Sequence, residues 1–93
     1  MFKTNSYFDG KVASIAFQGE GLPATVGVMD VGEYTFDTST KETMTVVSGE
    51  LTVRLPGSEV WNSYGAGDSF VVAAGASFSL KVAQQTAYLC TYE

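Results

Sequence analysis

Apolar and polar residues alternate along most of this chain, in short runs that are typical of half-buried β-strands. The run at 51–55 places leucine and valine on one face and threonine and arginine on the other, and the run at 78–82 repeats the pattern. Strands are predicted at 11–17, 26–31, 33–37, 44–47, 51–55, 69–73, 78–82 and 87–92. Glycine-rich turns separate these runs, and no window has the period of a helix. The pattern therefore predicts an all-β sandwich or barrel, one domain over residues 1–93, without substantial helix.

The last predicted strand has an unusual face, because Tyr88, Cys90 and Tyr92 lie on the same side of it. Buried tyrosine hydroxyls need hydrogen-bond partners. This face therefore either lines a polar pocket or belongs to a wall whose hydroxyls reach the rim. Cys90 has no basic neighbour in the sequence that would lower its pKa, so a buried structural thiol is the favoured interpretation.

Composition and charge narrow the function. The chain has five basic and ten acidic residues and a net charge of −5. Nucleic-acid surfaces need clustered lysine and arginine, so neither a nucleic-acid nor a membrane partner is expected. The lone cysteine cannot form an internal disulfide, and the first residues lack the apolar core of a signal peptide. A cytoplasmic protein is therefore expected.

The chain contains no histidine, which excludes the Ser-His-Asp arrangement and histidine-based zinc or iron sites. One spacing is still informative. In cupin barrels, a His-x-His pair is followed after four residues by Glu and after six more by Gly. Glu42 and Gly49 fit this spacing, and the histidine positions fall on Thr35 and Asp37. If the register holds, Thr35, Asp37 and Glu42 converge.

A second cupin motif maps onto Gly67, Ala73, Gly75 and Phe78, with alanine in place of proline and phenylalanine in place of histidine. Together the two motifs predict a cupin-like barrel of the jelly-roll type whose metal site has become a polar, metal-free pocket. The alternative is that Asp37 and Glu42 belong to a solvated loop, since the segment between them is itself turn-like.

Five segments carry a resemblance to a known family. They are YFDGKV at 7–12, VGVMDVGEYTF at 26–36, ETMTVVSG at 42–49, YGAGDSF at 64–70 and AYLCTY at 87–92. In this order they resemble the pyrimidine/purine nucleoside phosphorylase family of small single-domain cupins. The resemblance implies an enzyme that cleaves the N-glycosidic bond of purine and pyrimidine nucleosides with inorganic phosphate, giving the free base and ribose 1-phosphate. No cofactor is expected.

Residues with suitable chemistry can be assigned to such a reaction. Glycosidic cleavage passes through an oxocarbenium-like state, which Glu42 or Asp37 would stabilise at the ribose. Phosphate needs a cation or aimed N–H groups, and Lys11 is the candidate because it lies in the YFDGKV segment. The remaining predicted contacts are hydrogen-bond donors at Thr35, Tyr88 and Tyr92, and surfaces for the base at Phe36 and Met44.

Other interpretations remain open from the sequence. Lys11 also fits an exposed lysine at a strand end. The chain also fits a non-catalytic cupin that binds a sugar or nucleotide as a sensor, whereas a metal-dependent cupin enzyme is disfavoured by the missing histidines. A homodimer is expected, and the segment 1–10 is a candidate to cross to a partner.

Overall fold

The computed structural model describes all residues, 1–93, and consists of ten β-strands without a helix. The strands are β1 (Lys3–Tyr7), β2 (Val12–Gln18), β3 (Pro23–Met29), β4 (Gly32–Asp37), β5 (Glu42–Ser48), β6 (Glu50–Arg54), β7 (Asn62–Gly65), β8 (Ser69–Val72), β9 (Ser77–Val82) and β10 (Thr86–Tyr92). The all-β prediction is confirmed. No helix is present that is long and apolar enough to cross a membrane.

The strands form two antiparallel sheets. The larger has the order β1-β2-β3-β10-β5-β8, and the smaller has the order β4-β9-β6-β7. Consecutive strands such as β3 and β4 therefore lie in different sheets, as in a jelly roll. The sheets pack over one hydrophobic core, and no ladder joins their edges into a closed hydrogen-bonded barrel.

The predicted inward positions supply this core. Leu51, Val53 and Leu80 are completely buried, and Val82 is 3% exposed. Burying such a side chain contributes about 1.5–3 kcal/mol, so the alternation fixes which face of each strand is inside. Leu55 is only partly buried, because β6 ends at Arg54 and leaves it at the edge of the core.

Two strands were not predicted, β1 and β7, because both have polar sequences without alternation. Tertiary contacts hold β1 in place. Its ladder pairs with β2 of the same chain over Lys3–Tyr7. Beyond β1, Phe8 packs against Phe36 with ring centroids 5.4 Å apart. The turn itself has positive φ angles at Phe8 and Asp9.

The centre of the larger sheet positions the residues of interest. Strand β10 lies between β3 and β5, and Tyr92 faces Glu42 in the register. Glu42 is the first residue of β5, and Gly49 follows its last residue, as the spacing predicted. Gly49 has φ +101, and a side chain there would collide with Thr86. Glycine is therefore required where β5 turns into β6.

Candidate active site

A cavity of about 220 Å³ lies between the two sheets and is lined by eleven residues. Six of them were predicted from the sequence: Phe36, Asp37, Glu42, Met44, Tyr88 and Tyr92. Five were not predicted as site residues: Tyr7, Ser14, Met29, Phe78 and Cys90. Ligand pockets typically measure about 300–1,000 Å³. The smaller volume here suits a sugar ring, with the rest of a ligand at the mouth.

Glu42 is the half-buried carboxylate of this cavity. Burial raises the pKa of its carboxyl above the ordinary value, and a hydrogen bond from Cys90 opposes this shift in part. That bond, from the thiol Sγ to Oε1 at 3.5 Å, is the only one that the side chain makes. No cation compensates the charge. A partly desolvated carboxylate without a counter-ion is energetically costly, as expected of a group kept for function.

Asp37 lies at the end of β4, exposed but within the cavity lining. Its carboxylate accepts a hydrogen bond from the hydroxyl of Ser77. The next residue, Thr38, is buried, and its hydroxyl donates to the carbonyl of Ala73 at 2.7 Å. The segment that follows Asp37 is therefore anchored to the loop after β8. The two carboxylates flank one cavity, with Asp37 on its exposed side and Glu42 further inside.

Tyr88, Cys90 and Tyr92 form the inward face of β10, as the alternation predicted. Tyr92 shares a hydrogen bond of 2.9 Å with Thr25. Burial raises the pKa of Tyr88 to about 12, and it also raises the pKa of Tyr92. Both hydroxyls therefore remain protonated at neutral pH and retain hydrogen-bond donors. The polar-pocket interpretation of this face is the one that the geometry favours.

The packing of Tyr88 explains a glycine within a strand. A Cβ atom at Gly27 would lie 2.6 Å from the hydroxyl oxygen of Tyr88. Real contacts of this kind are essentially never so short, so any larger residue at position 27 would displace the tyrosine. Gly27 faces Tyr88 directly across the β3–β10 ladder. The glycine therefore provides the space in which this wall of the cavity is built.

The expected convergence of Thr35 with Asp37 and Glu42 does not form. Thr35 is exposed and its hydroxyl lies 3.2 Å from that of Ser79, outside the cavity lining. The physical reason is the alternation along β4, in which the flanking aromatic residues take the inward positions. No three histidine, cysteine or acidic side chains are grouped closely enough to hold a metal ion.

The cavity lining contains no lysine or arginine. Three of the five basic residues of the chain are engaged elsewhere. Lys41 forms an ion pair of 3.2 Å with Glu93. Arg54 and Lys81 lie over the ring of Trp61, at 5.3 and 4.2 Å from its centroid. Two lysines near β1 and β2 remain without such partners.

The sheet register separates these two lysines. Lys11 accepts a backbone hydrogen bond from Asp30 beside the buried Val12, so alternation directs Lys11 to the outer face. Lys3 belongs to β1 and has the same parity as Tyr7, which lines the cavity. Lys3 therefore lies on the cavity side of the sheet. The sequence alone did not point to Lys3, because the polar β1 segment shows no alternation from which its inward face could be predicted.

Comparisons with known proteins identify the family. The sequence profile of the family described as pyrimidine/purine nucleoside phosphorylase matches residues 2–92. A protein of that name from Marinobacter nauticus is 64% identical over 92 residues, which is 99% of either chain. A crystal structure from Vibrio parahaemolyticus, of a protein of unknown function, matches with a TM-score of 0.95 and 48% identity, and covers 100% of this chain and 99% of that one.

A more distant structure confirms the fold prediction. It is an RmlC-like cupin from Shewanella frigidimarina, with a TM-score of 0.76 and 24% identity, covering 98% of this chain and 82% of that one. At this identity the likeness shows the fold alone, and the fold is that of a cupin. The family matches, in contrast, extend over nearly the whole chain at high identity. The chain belongs to the pyrimidine/purine nucleoside phosphorylase family.

Proposed function

We propose that this protein cleaves the N-glycosidic bond of purine and pyrimidine nucleosides with inorganic phosphate. A phosphate oxygen forms a bond to C1′ of the ribose, the bond from C1′ to the base nitrogen breaks, and the base leaves with the electron pair and takes up a proton. The products are the free base and ribose 1-phosphate. The observation that carries the proposal is the family match over residues 2–92, joined to a half-buried carboxylate that has no counter-ion.

In this proposal the carboxylates act on the sugar. As the glycosidic bond weakens, positive charge develops on the ribose ring. The Glu42 carboxylate, inside the cavity and without a cation, stabilises that charge more strongly than it stabilises the neutral substrate. Such differential stabilisation lowers the barrier itself. Asp37, at the exposed side, accepts hydrogen bonds from ribose hydroxyls.

The other lining residues hold the base and assist its departure. Tyr88 and Tyr92 keep their protons at neutral pH and donate hydrogen bonds within the cavity. Phe36 and Met44 provide apolar surface, and the ring of Phe36 stacks at 5.9 Å on that of Phe78. An apolar wall discriminates weakly between bases, and the two phenol hydroxyls can pair with acceptors on either class of base. This arrangement suits acceptance of both purine and pyrimidine nucleosides.

Phosphate is the substrate for which the cavity alone is least suited, since no cation lines it. Two lysines are candidates. Lys11 lies in the segment that carried the family resemblance, and Lys3 lies on the cavity side of β1 by register. We favour Lys3, because a charge-assisted hydrogen bond requires the ammonium group to face the anion.

Phosphate dependence tests this function directly. Purified protein is incubated with inosine or uridine, with and without phosphate, and the base and ribose 1-phosphate are quantified by chromatography. We expect both products only when phosphate is present, with no loss of rate in a chelator. Base release without phosphate would indicate a hydrolase. Nucleoside binding without any product would support the sensor interpretation instead.

A matched variant outside the cavity controls for general damage. Thr35→Val keeps the branched shape of an exposed strand residue and removes only its hydrogen bond to Ser79. We expect its rates to stay within about twofold of the parent. A large loss in Thr35→Val would restore the role that the sequence assigned to Thr35 and would contradict the cavity as the site.

We also propose that the protein is a cytoplasmic homodimer. The outer face of the larger sheet carries exposed apolar residues, among them Ile15 on β2, Val26 and Val28 on β3, and Val47 on β5. In a twofold dimer the same surface patch of both subunits forms the interface. An apolar patch can pair with a second copy of itself, because it brings no like charges together. A second copy is therefore the proposed occupant. Analytical sedimentation of the parent protein should give twice the monomer mass. Val26→Lys, which places a charge in the patch, should give the monomer mass. A monomeric parent would refute the proposal.

A further inference from the structure

We infer that Cys90 is a positioning residue, whose thiol donates a hydrogen bond to Glu42 and fixes which carboxylate oxygen faces the substrate. The inference rests on the proposed function, because it assigns a partner to the carboxylate of that same site. It also replaces the sequence-based interpretation of Cys90 as a structural thiol alone.

The sheet register produces this contact. On β10, Tyr92 lies opposite Glu42, and Cys90 lies two residues earlier on the same face. Diagonal neighbours of this kind on paired strands are within reach of each other. The thiol is 2% exposed, and its sulfur lies 3.5 Å from Oε1 of Glu42. The carbonyl of Thr91 is a second acceptor, at 3.9 Å, and the hydroxyl of Tyr92 also interacts with the thiol.

The chemistry of the pair favours a donor over a nucleophile. Burial raises the pKa of the Cys90 thiol to about 12, with the charge of Glu42 acting in the same direction. The thiol therefore stays protonated at neutral pH, whereas nucleophilic cysteines are thiolates. A neutral thiol is a weak donor. It orients the carboxylate and neutralises little of its charge, so Oε2 is left to face the sugar.

A stronger donor in this position would change the site in a defined direction. A hydroxyl at position 90 would stabilise the carboxylate better and would lower the pKa of Glu42. Removing the donor would raise that pKa further. The other titratable side chains that line the cavity are Tyr7 on β1, Asp37 on β4 and the two tyrosines of β10. Replacing Cys90 leaves these side chains in place. The pKa values of both β10 tyrosines respond to Cys90 but lie far above the range of a carboxyl, so a shift in the acidic titration of Glu42 reports the thiol.

Infrared spectroscopy of the parent protein tests the contact without any catalysis. The chain has a single cysteine, so its S–H stretch is one band in a window free of other protein absorption. We expect the band to move to lower frequency as Glu42 ionises, because an anion is the stronger acceptor. In Glu42→Gln the band should not respond to pH over the same range. A band that is independent of pH in the parent would overturn the inference, even if the protein proves to be a phosphorylase.

Kinetic comparison of two variants tests the positioning role. Cys90→Ala removes the donor, and we expect kcat to fall roughly five- to tenfold, the scale of one modest hydrogen bond, with the acidic limb of the pH profile displaced upward. Cys90→Ser keeps a donor, so kcat should stay within about threefold and the acidic limb should move downward.

A matched core variant separates positioning from stability. Val46 is 1% exposed, lies on the same strand as Glu42 and does not line the cavity. Val46→Ala should lower the melting temperature and leave the acidic limb in place. Equal pH profiles for the parent, Cys90→Ala and Cys90→Ser would show that Cys90 is structural. If Cys90→Ala does not fold, the opposite shift expected in Cys90→Ser and the infrared band still decide the question.

Discussion

Replacing Glu42 by glutamine removes one negative charge from the cavity and keeps the shape of the side chain. Two unit charges 4 Å apart interact by about 4 kcal/mol at an effective dielectric constant of about 20. Glu42 is only half buried, and the charge that develops on the ribose is partial. We therefore take about 4 kcal/mol as the upper limit of the transition-state stabilisation that the variant loses. A loss of about 2.7–4 kcal/mol corresponds to a decrease in kcat of about 10²–10³-fold.

The assay is steady-state phosphorolysis of inosine and of uridine at saturating phosphate. Glu33→Gln is the matched control, because Glu33 is an exposed residue of β4 that does not line the cavity. It removes the same formal charge from the chain, and its kcat should stay within about twofold of the parent. Equal losses with both nucleosides in Glu42→Gln would indicate action on the shared ribose. A folded Glu42→Gln protein with parental kcat would refute the reasoning.

The pH profile gives a second signature of the same residue. In the proposed function the ionised carboxylate is the active form, and burial raises the pKa of Glu42. The rate should therefore decline with falling pH at a higher pH than an ordinary glutamate would give. In Glu42→Gln this acidic limb should disappear, because the titrating group is gone. A limb that persists unchanged in the variant would assign the titration to another group.

Three further predictions concern phosphate, packing and stability. Lys3→Ala should raise the KM for phosphate about tenfold or more and should change the KM for the nucleoside less. If Lys11→Ala raises the KM for phosphate more than Lys3→Ala does, the sequence-based assignment of Lys11 would be favoured over the one from the sheet register. Gly27→Ala forces a Cβ to within 2.6 Å of the Tyr88 hydroxyl and should destabilise the fold by about 1–3 kcal/mol in urea unfolding; unchanged stability would contradict this packing. Folding raises the pKa of Glu42, so the protonated carboxyl favours the folded state. This contribution to the free energy of unfolding is present at pH values below the pKa of the unfolded state, and it is lost as the pH rises through the pKa of the folded state. The melting temperature of Glu42→Gln should therefore exceed that of the parent at neutral pH, and the difference should disappear in acid. A difference that does not depend on pH would contradict the raised pKa.

The strand pattern predicted the parts of the site that depend on alternation and spacing. Glu42 at the start of β5, Gly49 at its end and the inward face of β10 all lie where they were expected. Thr35 was misplaced because a metal motif was mapped onto a strand whose aromatic residues determine its inward face. There the preference of large apolar side chains for the core outweighed the spacing of the motif.

Other features depend on contacts between distant parts of the chain. The partner of Glu42 is Cys90, which lies 48 residues away in the sequence. A lone thiol without basic neighbours gives no local sign of such a contact. Strand β1 is equally hidden, because its sequence KTNSY is polar. Its position results from the ladder with β2 and from the rings of Tyr7 and Phe8 that pack on Phe36.

A cavity lined by two carboxylates and no basic side chain also discriminates between ligands by charge. A neutral nucleoside enters it without electrostatic repulsion, whereas a nucleoside 5′-monophosphate would bring a dianion close to Glu42 and Asp37. The same repulsion acts on inorganic phosphate, so in the proposed reaction that anion needs the cation that Lys3 would supply from outside the lining. Mobile salt screens such forces beyond about 8 Å at physiological ionic strength, so only groups that approach the cavity closely are affected. In the proposed reaction, the cavity would thus favour neutral nucleosides over nucleotides whose 5′-phosphate meets no cation there.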